Sequence, residues 1–249
     1  MPRSPAPRKK ISPLRIGLRS LFFPRGAVCI SCGALRVDAA AHRLCRACEE
    51  ALVPLSPPFC PRCGRPGWSM VCPDCSLAPP TALDARISAY AYRDTAGALV
   101  RALKYQHVQP AARALADGML ACRPKGRFDA LVPVPLHRRR MRQRGFNQAD
   151  MLCAVLSEAT GLPIWRALAR IHATRTQTRL NQEQRQENVR GAFAADSEEV
   201  ISVQGASLLL VDDVMTTGAT AESCAQALKA AGAARVVLWT AARAGLLTD

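Results

Sequence analysis

Three observations in the sequence predict an α/β protein, a parallel sheet with helices on both faces, preceded by a small metal-held unit. From residue 85 onward, strand-like and helix-like segments alternate, the pattern of strands joined by crossover helices. Eight of the eleven cysteines are crowded into residues 29–75 as four CxxC pairs. The third is the string Leu208–Thr220, LLLVDDVMTTGAT, where a buried-strand pattern ends in two carboxylates, a glycine-containing threonine turn and a new helix. A chain of 249 residues, 49% of them apolar, can bury a real core and suits one ordinary domain plus a smaller unit. No apolar stretch approaches the length of a membrane span.

Residues 1–25 read as a basic tail. Leu14, Leu18, Leu21 and Phe22 lie at helical spacing within 11–23 and predict a short docked helix. The segment has no continuous apolar h-region and no small-residue cleavage site, so no secretory signal is expected and a cytoplasmic location is. Residues 26–78 hold Cys29/Cys32, Cys45/Cys48, Cys60/Cys63 and Cys72/Cys75, spaced C-x2-C-x12-C-x2-C and then C-x2-C-x8-C-x2-C. That spacing suits two tetrahedral Zn²⁺ sites of four thiolates each, with adjacent pairs sharing a metal as the simplest pairing. Gly33 and Gly64 follow the second cysteine of their pairs, where a tight turn benefits from a missing Cβ. Too few large apolar side chains are present here for a core, so metal binding must supply the folding energy. Disulfides are disfavoured without a secretory signal, and a redox pair needs one CxxC beside a βαβ unit rather than four in a row. His42 is an alternative ligand. Cys122, Cys153 and Cys224 sit among alanines and leucines and read as small core residues.

The proline-rich stretch CSLAPPTAL, 75–83, is the expected linker, and 84–249 the larger domain. Strands are predicted at 85–92, 129–135, 207–212 and 235–241, and helices at 96–104, 110–122, 147–159 and 219–231. In parallel sheets of this kind the ligand lies beyond the carboxyl ends of the strands. The segments 135–143 and 212–220 both leave strands at that end. The first opens the stretch 135–145, PLHRRRMRQRG, which reads as a basic loop with Arg138, Arg139, Arg140, Arg142 and Arg144. It is either a solvated or nonspecific nucleic-acid patch or a clamp on pyrophosphate, with His137 as a helper. In the second, Thr216, Thr217, Gly218 and Thr220 can offer hydroxyls and backbone N–H groups to a phosphate at a helix N-terminus. Asp212 and Asp213 must face something else, sugar hydroxyls or a metal. The bland alternative is an ordinary strand–turn–helix corner with solvated aspartates.

The string Leu208–Thr220 closely resembles the phosphoribosyl-pyrophosphate (PRPP) signature of type I phosphoribosyltransferases. The larger pattern is narrower still. VPVPL and RRRMRQRGFNQA within 132–149, ALKY at 102–105, RTQTRLNQEQRQENVRGAF at 175–193 and the four CxxC pairs together resemble the ComF family. The resemblance implies a type I phosphoribosyltransferase fold preceded by an N-terminal double zinc ribbon, with two structural Zn²⁺ and with Mg²⁺ accompanying PRPP. It implies that Asp212 and Asp213 bind the ribose hydroxyls and act catalytically, and that Thr216, Thr217, Gly218, Ala219 and Thr220 hold the 5′-phosphate. Candidates for the pyrophosphate are Leu136, His137, Arg138, Arg139, Arg144 and, more weakly, Lys104. Arg175, Gln177, Arg185 and Asn188, with Asn181, resemble a mobile segment that could close over the site, an exposed helix being the alternative. The implied activity is pentosyl transfer from PRPP to an unidentified acceptor, in the setting of DNA uptake and natural transformation. The alternative is a noncatalytic adaptor that senses PRPP or binds single-stranded DNA or a DNA-uptake helicase. A net charge of +15 favours polyanionic partners, yet three Trp and three Tyr make a poor base-stacking platform. Nothing in the sequence identifies the acceptor or the oligomeric state.

Overall fold

The structure is a computed structural model and describes residues 28–35, 44–105, 109–171, 192–195 and 203–245. The expected helix at 11–23, His42, and the segment with Arg175, Gln177, Asn181, Arg185 and Asn188 lie outside the described residues. The elements run α1 (Arg46–Glu50), α2 (Pro73–Leu77), β1 (Ala85–Ala91), α3 (Asp94–Tyr105), α4 (Gln109–Ala121), β2 (Ala130–Pro133) and α5 (Arg138–Arg144). They continue with α6 (Gln148–Thr160), β3 (Leu168–Arg170), β4 (Phe193–Ala195), β5 (Ser207–Met215), α7 (Ala219–Ala230) and β6 (Arg235–Arg243). A four-stranded parallel sheet has the order β1-β6-β5-β2, and β3 and β4 form a separate antiparallel pair.

Apolar residues on both sides of each central strand explain why the sheet is covered on both faces. On β5, Leu209 and Val211 join one buried cluster with Leu99, Leu103, Leu115, Leu152 and Trp239, under α3, α4 and α6. Leu208 and Leu210 join the other with Leu238, Cys224 and Leu228, under α7 and the β3–β4 pair. Cys153 and Cys224 are fully buried core residues, as their apolar surroundings predict, and Cys122 is half-buried.

Both sheet edges are covered, which removes unpaired backbone as a site for aggregation. Along β1, Leu55 N–H donates to Ala89 O at 2.8 Å and Ala91 N–H to Val53 O at 2.9 Å, so the segment between the cysteine clusters lies on that edge. Along β2, Leu131 N–H donates to Pro163 O and Trp165 N–H to Leu131 O, both at 2.9 Å.

Two expectations change. The arginine segment is not a loop but the helix α5. His137 caps it by accepting the Arg139 N–H on Nδ1 at 3.2 Å, and Gly145 closes it at φ 77°. Arginine is a good helix former, and Arg142 and Arg144 in the last turn suit the negative end of the helix dipole. Strand β5 also runs three residues further than 207–212, to Met215, because the pairing with β6 continues through Val214↔Ala242 and Met215↔Arg243.

Candidate functional site

The extension of β5 decides the geometry of the acidic pair. Successive strand residues point to opposite faces, so Asp212 and Asp213 diverge. Asp213, only 6% exposed, lies on the α3 side, where Lys104 Nζ donates to its Oδ2 at 2.9 Å. Burial opposes the charge on Lys104, but the facing Asp213, with Asp212 behind it, outweighs burial and raises the lysine pKa. Asp212 faces Cys224 and Arg170 instead. Burial first, then the charge of Asp213, pushes the Asp212 carboxyl up to about 7. The Asp213 N–H, which donates to Asp212 Oδ1 at 2.8 Å, and the Lys104 and Arg170 cations pull the other way. A carboxyl poised there is a good ligand for an added cation, which would finish its ionisation.

Beyond Asp213 the chain turns through Thr216 and Thr217, both exposed, to Gly218, which is buried at φ 81° and caps α7 without a side chain. A left-handed backbone at this pivot favours glycine. The Ala219 N–H points at Thr217 Oγ1 at 3.4 Å, and Ala219 and Thr220 begin the helix, half-buried. The first turn of a twelve-residue helix therefore faces the same end of the sheet as the acidic pair.

Strand β2 ends beside this point. Val134 N–H donates to Val211 O at 2.9 Å, and Asn147 Nδ2 donates to Val134 O at 3.0 Å. Asn147 Oδ1 also caps α6 through Ala149 N–H at 3.2 Å. The bond to Val134 ties the two ends of the 134–147 excursion together and holds α5 over the strand ends. Leu136 and His137 are half-buried, whereas Arg138, Arg139 and Arg142 are exposed. Arg144 lies 5.5 Å from the centre of the Tyr105 ring and donates to Gln148 Oε1 at 2.8 Å. Gln148 is buried, and its Nε2 has no hydrogen-bond partner among the described residues. Of the residues foreseen from sequence, the structure thus joins Lys104 directly to Asp213. It brings Arg144 to Tyr105, the residue next to Lys104.

Arg170 was not foreseen. It sits on the three-residue strand β3, stacked 5.1 Å from the Phe193 ring. Burial pulls its pKa down, as does the nearby Arg140, while Cys224 and Asp212 oppose them. Its strand is too short for periodicity to mark, and its role depends on a strand partner 23 positions away in the register Arg170↔Phe193.

The cysteines form two sets of four, Cys29/Cys32/Cys45/Cys48 and Cys60/Cys63/Cys72/Cys75, with the sulfurs of each set within 4.8 Å of one another. Adjacent pairs therefore share a site. Cys32 and Cys45 Sγ are 3.7 Å apart and Cys63 and Cys72 Sγ 3.8 Å, far beyond a disulfide bond. Zn–S bonds of about 2.3 Å in a tetrahedron place neighbouring sulfurs roughly 3.8 Å apart, so the donor set fits zinc. Burial resists ionisation of Cys29 and Cys60, yet backbone N–H groups, chiefly from Cys32 and Cys63, bring them down to about 7 and about 6. Burial pushes Cys48 and Cys75 up to about 12, helped by neighbouring cysteines. Four thiolates in such a cage need a bound cation.

Fold and clusters together define a class: a double zinc ribbon on a parallel-sheet phosphoribosyltransferase domain. Family models agree, with residues 18–76 matching a double zinc ribbon domain and 142–246 a phosphoribosyl transferase domain. Competence protein F of Haemophilus influenzae is 31% identical over 228 residues, covering 87% of this chain and 96% of that protein. The DNA utilization protein YhgH of Salmonella typhimurium is 36% identical over 211 residues, 80% of this chain and 90% of its own. Competence protein ComFC of Bacillus subtilis is 27% identical over 205 residues, 79% and 82% of the two chains. A solved structure of the Bacillus subtilis glutamine PRPP amidotransferase overlaps 52% of this chain and 26% of its own, at TM-score 0.36 and 25% identity. The chain belongs to the ComF family, and its ribbons carry two structural zinc ions. Among the described residues, no helix is long and apolar enough to cross a membrane.

Proposed function

We propose that this protein binds Mg²⁺-PRPP at the carboxyl ends of β2 and β5 and transfers the phosphoribosyl group to an acceptor that the site does not name. One observation carries the reading. An acidic pair, Asp213 buried and Asp212 half-buried, stands directly before a glycine-pivoted threonine turn that opens a helix. Phosphate suits a helix N-terminus, and a diol suits carboxylates. A ribose 5-phosphate has both, at opposite ends. Thr216–Thr220 would take the 5′-phosphate through N–H and hydroxyl groups, and Asp212 and Asp213 would accept hydrogen bonds from ribose hydroxyls.

Mg²⁺ prefers hard oxygen ligands, which the two carboxylates supply, and once bound it would neutralise the leaving pyrophosphate. Breaking the bond from C1 to the pyrophosphate oxygen leaves positive charge on C1, which fixed carboxylates stabilise without reorganisation. Lys104 holds Asp213 in place, and Arg144 of α5 is anchored by Gln148 and by Tyr105, next to Lys104. Arg170 would fix Asp212 in the same way from the opposite face.

The relatives named for competence and DNA utilization support a role in handling incoming DNA. The exposed Arg138, Arg139 and Arg142 favour the second reading, an adaptor that holds PRPP as a signal and a polyanion on α5. Pyrophosphate release separates the two. Incubation with Mg²⁺ and PRPP, alone, with nucleobases and with single-stranded DNA, should release pyrophosphate only with a true acceptor. Saturable PRPP binding with no release in any mixture would contradict transfer and leave the adaptor.

A further inference from the structure

The second cysteine cluster reaches the phosphate loop through two half-buried arginines. Its knuckle Cys60–Gly64 is pressed onto β1 so closely that a Cβ on Gly64 would lie 2.0 Å from the Arg86 carbonyl oxygen. Arg86 Nη1 donates to the carbonyl of Arg62 at 2.5 Å, and Arg243 Nη1 donates to the carbonyl of Cys63. Arg62 in turn donates to the carbonyls of Cys75 and Ala78, binding the second knuckle and the linker into the same set.

The other end of this set is the loop. Arg86 Nη2 meets Glu222 Oε2 at 3.0 Å, with the two side chains 10% and 21% exposed. Glu222 stands in the first turn of α7; its N–H donates to Gly218 O at 2.8 Å, and its Oε1 accepts the Ala82 N–H at 2.5 Å. A Cβ built on Gly218 would lie 3.6 Å from Arg86 Nε, so the guanidinium lies directly under the pivot of the turn. Arg243 is level with Met215, and the next N–H, of Ala244, donates to Met215 O at 2.9 Å.

Charge explains why the arginines stay. Four thiolates around Zn²⁺ leave a net charge of about −2. Arg86 and Arg243 are half-buried beside Cys63 and Cys75. Burial pulls both guanidinium pKa values down, opposed at Arg86 by Glu222 and then by the cysteines, and at Arg243 chiefly by Cys63. Buried Nη2 of Arg62 and Nε of Arg243 have no hydrogen-bond partner among the described residues. Loss of the metal would remove the dianion and free the knuckle carbonyls. Glu222 would remain as the partner of Arg86, and Arg243 would lose its Cys63 acceptor. A guanidinium that loses acceptors in a poorly solvated place is costly.

From this we infer that Arg86, backed by Arg243, is a positioning residue that makes the shape of the Asp212–Thr220 turn depend on the loaded second cluster. The inference rests on the reading of that turn as the anion-binding element. Zinc in the second ribbon then sets the readiness of the site, and the first ribbon does not.

Hydrogen exchange on the ligand-free, full-length protein tests this, with zinc measured in parallel. Arg86→Met should keep two zinc ions while peptides spanning 213–222 exchange about tenfold faster. Arg86→Lys, which keeps the charge but not both bonds, should fall between. Cys72→Ser should loosen the same peptides more than it loosens β5 and β6, whereas Cys29→Ser should loosen them no more than it loosens those strands. If Arg86→Met does not fold, Arg86→Lys and Glu222→Gln are read in its place. Unchanged exchange in the zinc-loaded variants, or equal loosening by Cys29→Ser, overturns the inference. Failure of the wild type to bind PRPP would remove the ligand assignment, yet the exchange comparison would still decide the coupling.

Discussion

The two ribbons use the same four-thiolate chemistry to opposite structural ends. The first is a piece of the core: Cys29, Leu44 and Cys48 are buried in one cluster with Tyr90, Leu99 and Trp239. The second is held by polar contacts, carbonyls of its knuckle accepting from Arg86 and Arg243 across a glycine with no room for a side chain. Metal energy in the first ribbon stabilises the whole fold. In the second it fixes a polar joint beside the ligand end of the sheet.

The sharpest way to break this contrast is at the metals. Cys48→Ser should reduce zinc from two to one per chain and destabilise the fold by at least about 3 kcal/mol, lowering Tm by roughly 6–12 °C. Cys72→Ser should also lose one zinc but cost about 2–3 kcal/mol, since no large apolar cluster opens with it. Equal losses of Tm from the two variants would show the ribbons to be equivalent.

Within the second ribbon two glycines sharpen the comparison. Gly64→Ala meets both a left-handed φ of 68° and the Arg86 carbonyl, and should cost about 2 kcal/mol. Gly67→Ala, at φ 83° with nothing within 4 Å, should cost only the strain of about 1 kcal/mol. Thermal melts that rank them the other way would place the ribbon away from β1.

The ligand end of the sheet is tested by pH. Asp212 rises from its ordinary 3.8 to about 7 in the fold, so its neutral form stabilises the ligand-free protein. That contribution is complete below about pH 4 and is lost as pH rises through about 7. Asp212→Asn should therefore be more stable than the wild type at pH 8, with the gap closing toward pH 4. A constant gap across that range would assign the pKa elsewhere.

Residues with a strong period or a dense motif announced themselves. β1, β2, β5 and β6 and the helices α3, α4, α6 and α7 follow from alternating and helical apolar patterns, with ends shifted by only one to three residues. The cysteine tetrads follow from spacing, and the loop from its residue types. What stayed hidden depends on partners distant in sequence. Arg86 looks like an ordinary polar strand residue until Glu222, 136 positions away, and the Arg62 carbonyl close on it. Arg170 needs the β3–β4 pairing, which three-residue strands do not advertise. The arginine run looked like a loop because its charge obscured its good helix propensity and its caps, His137 and Gly145. That Lys104 would meet Asp213 is a matter of which face each presents, and the extension of β5 decided it.

The central claim, a ribose-phosphate site at the end of β5, is tested most directly by calorimetric titration of PRPP with and without Mg²⁺. Wild-type protein should bind one PRPP per chain in a Mg²⁺-dependent manner. Asp212→Asn combined with Asp213→Asn should give no measurable heat of binding while still melting cooperatively with two zinc ions. Equal affinity in the wild type and the double variant would contradict the account.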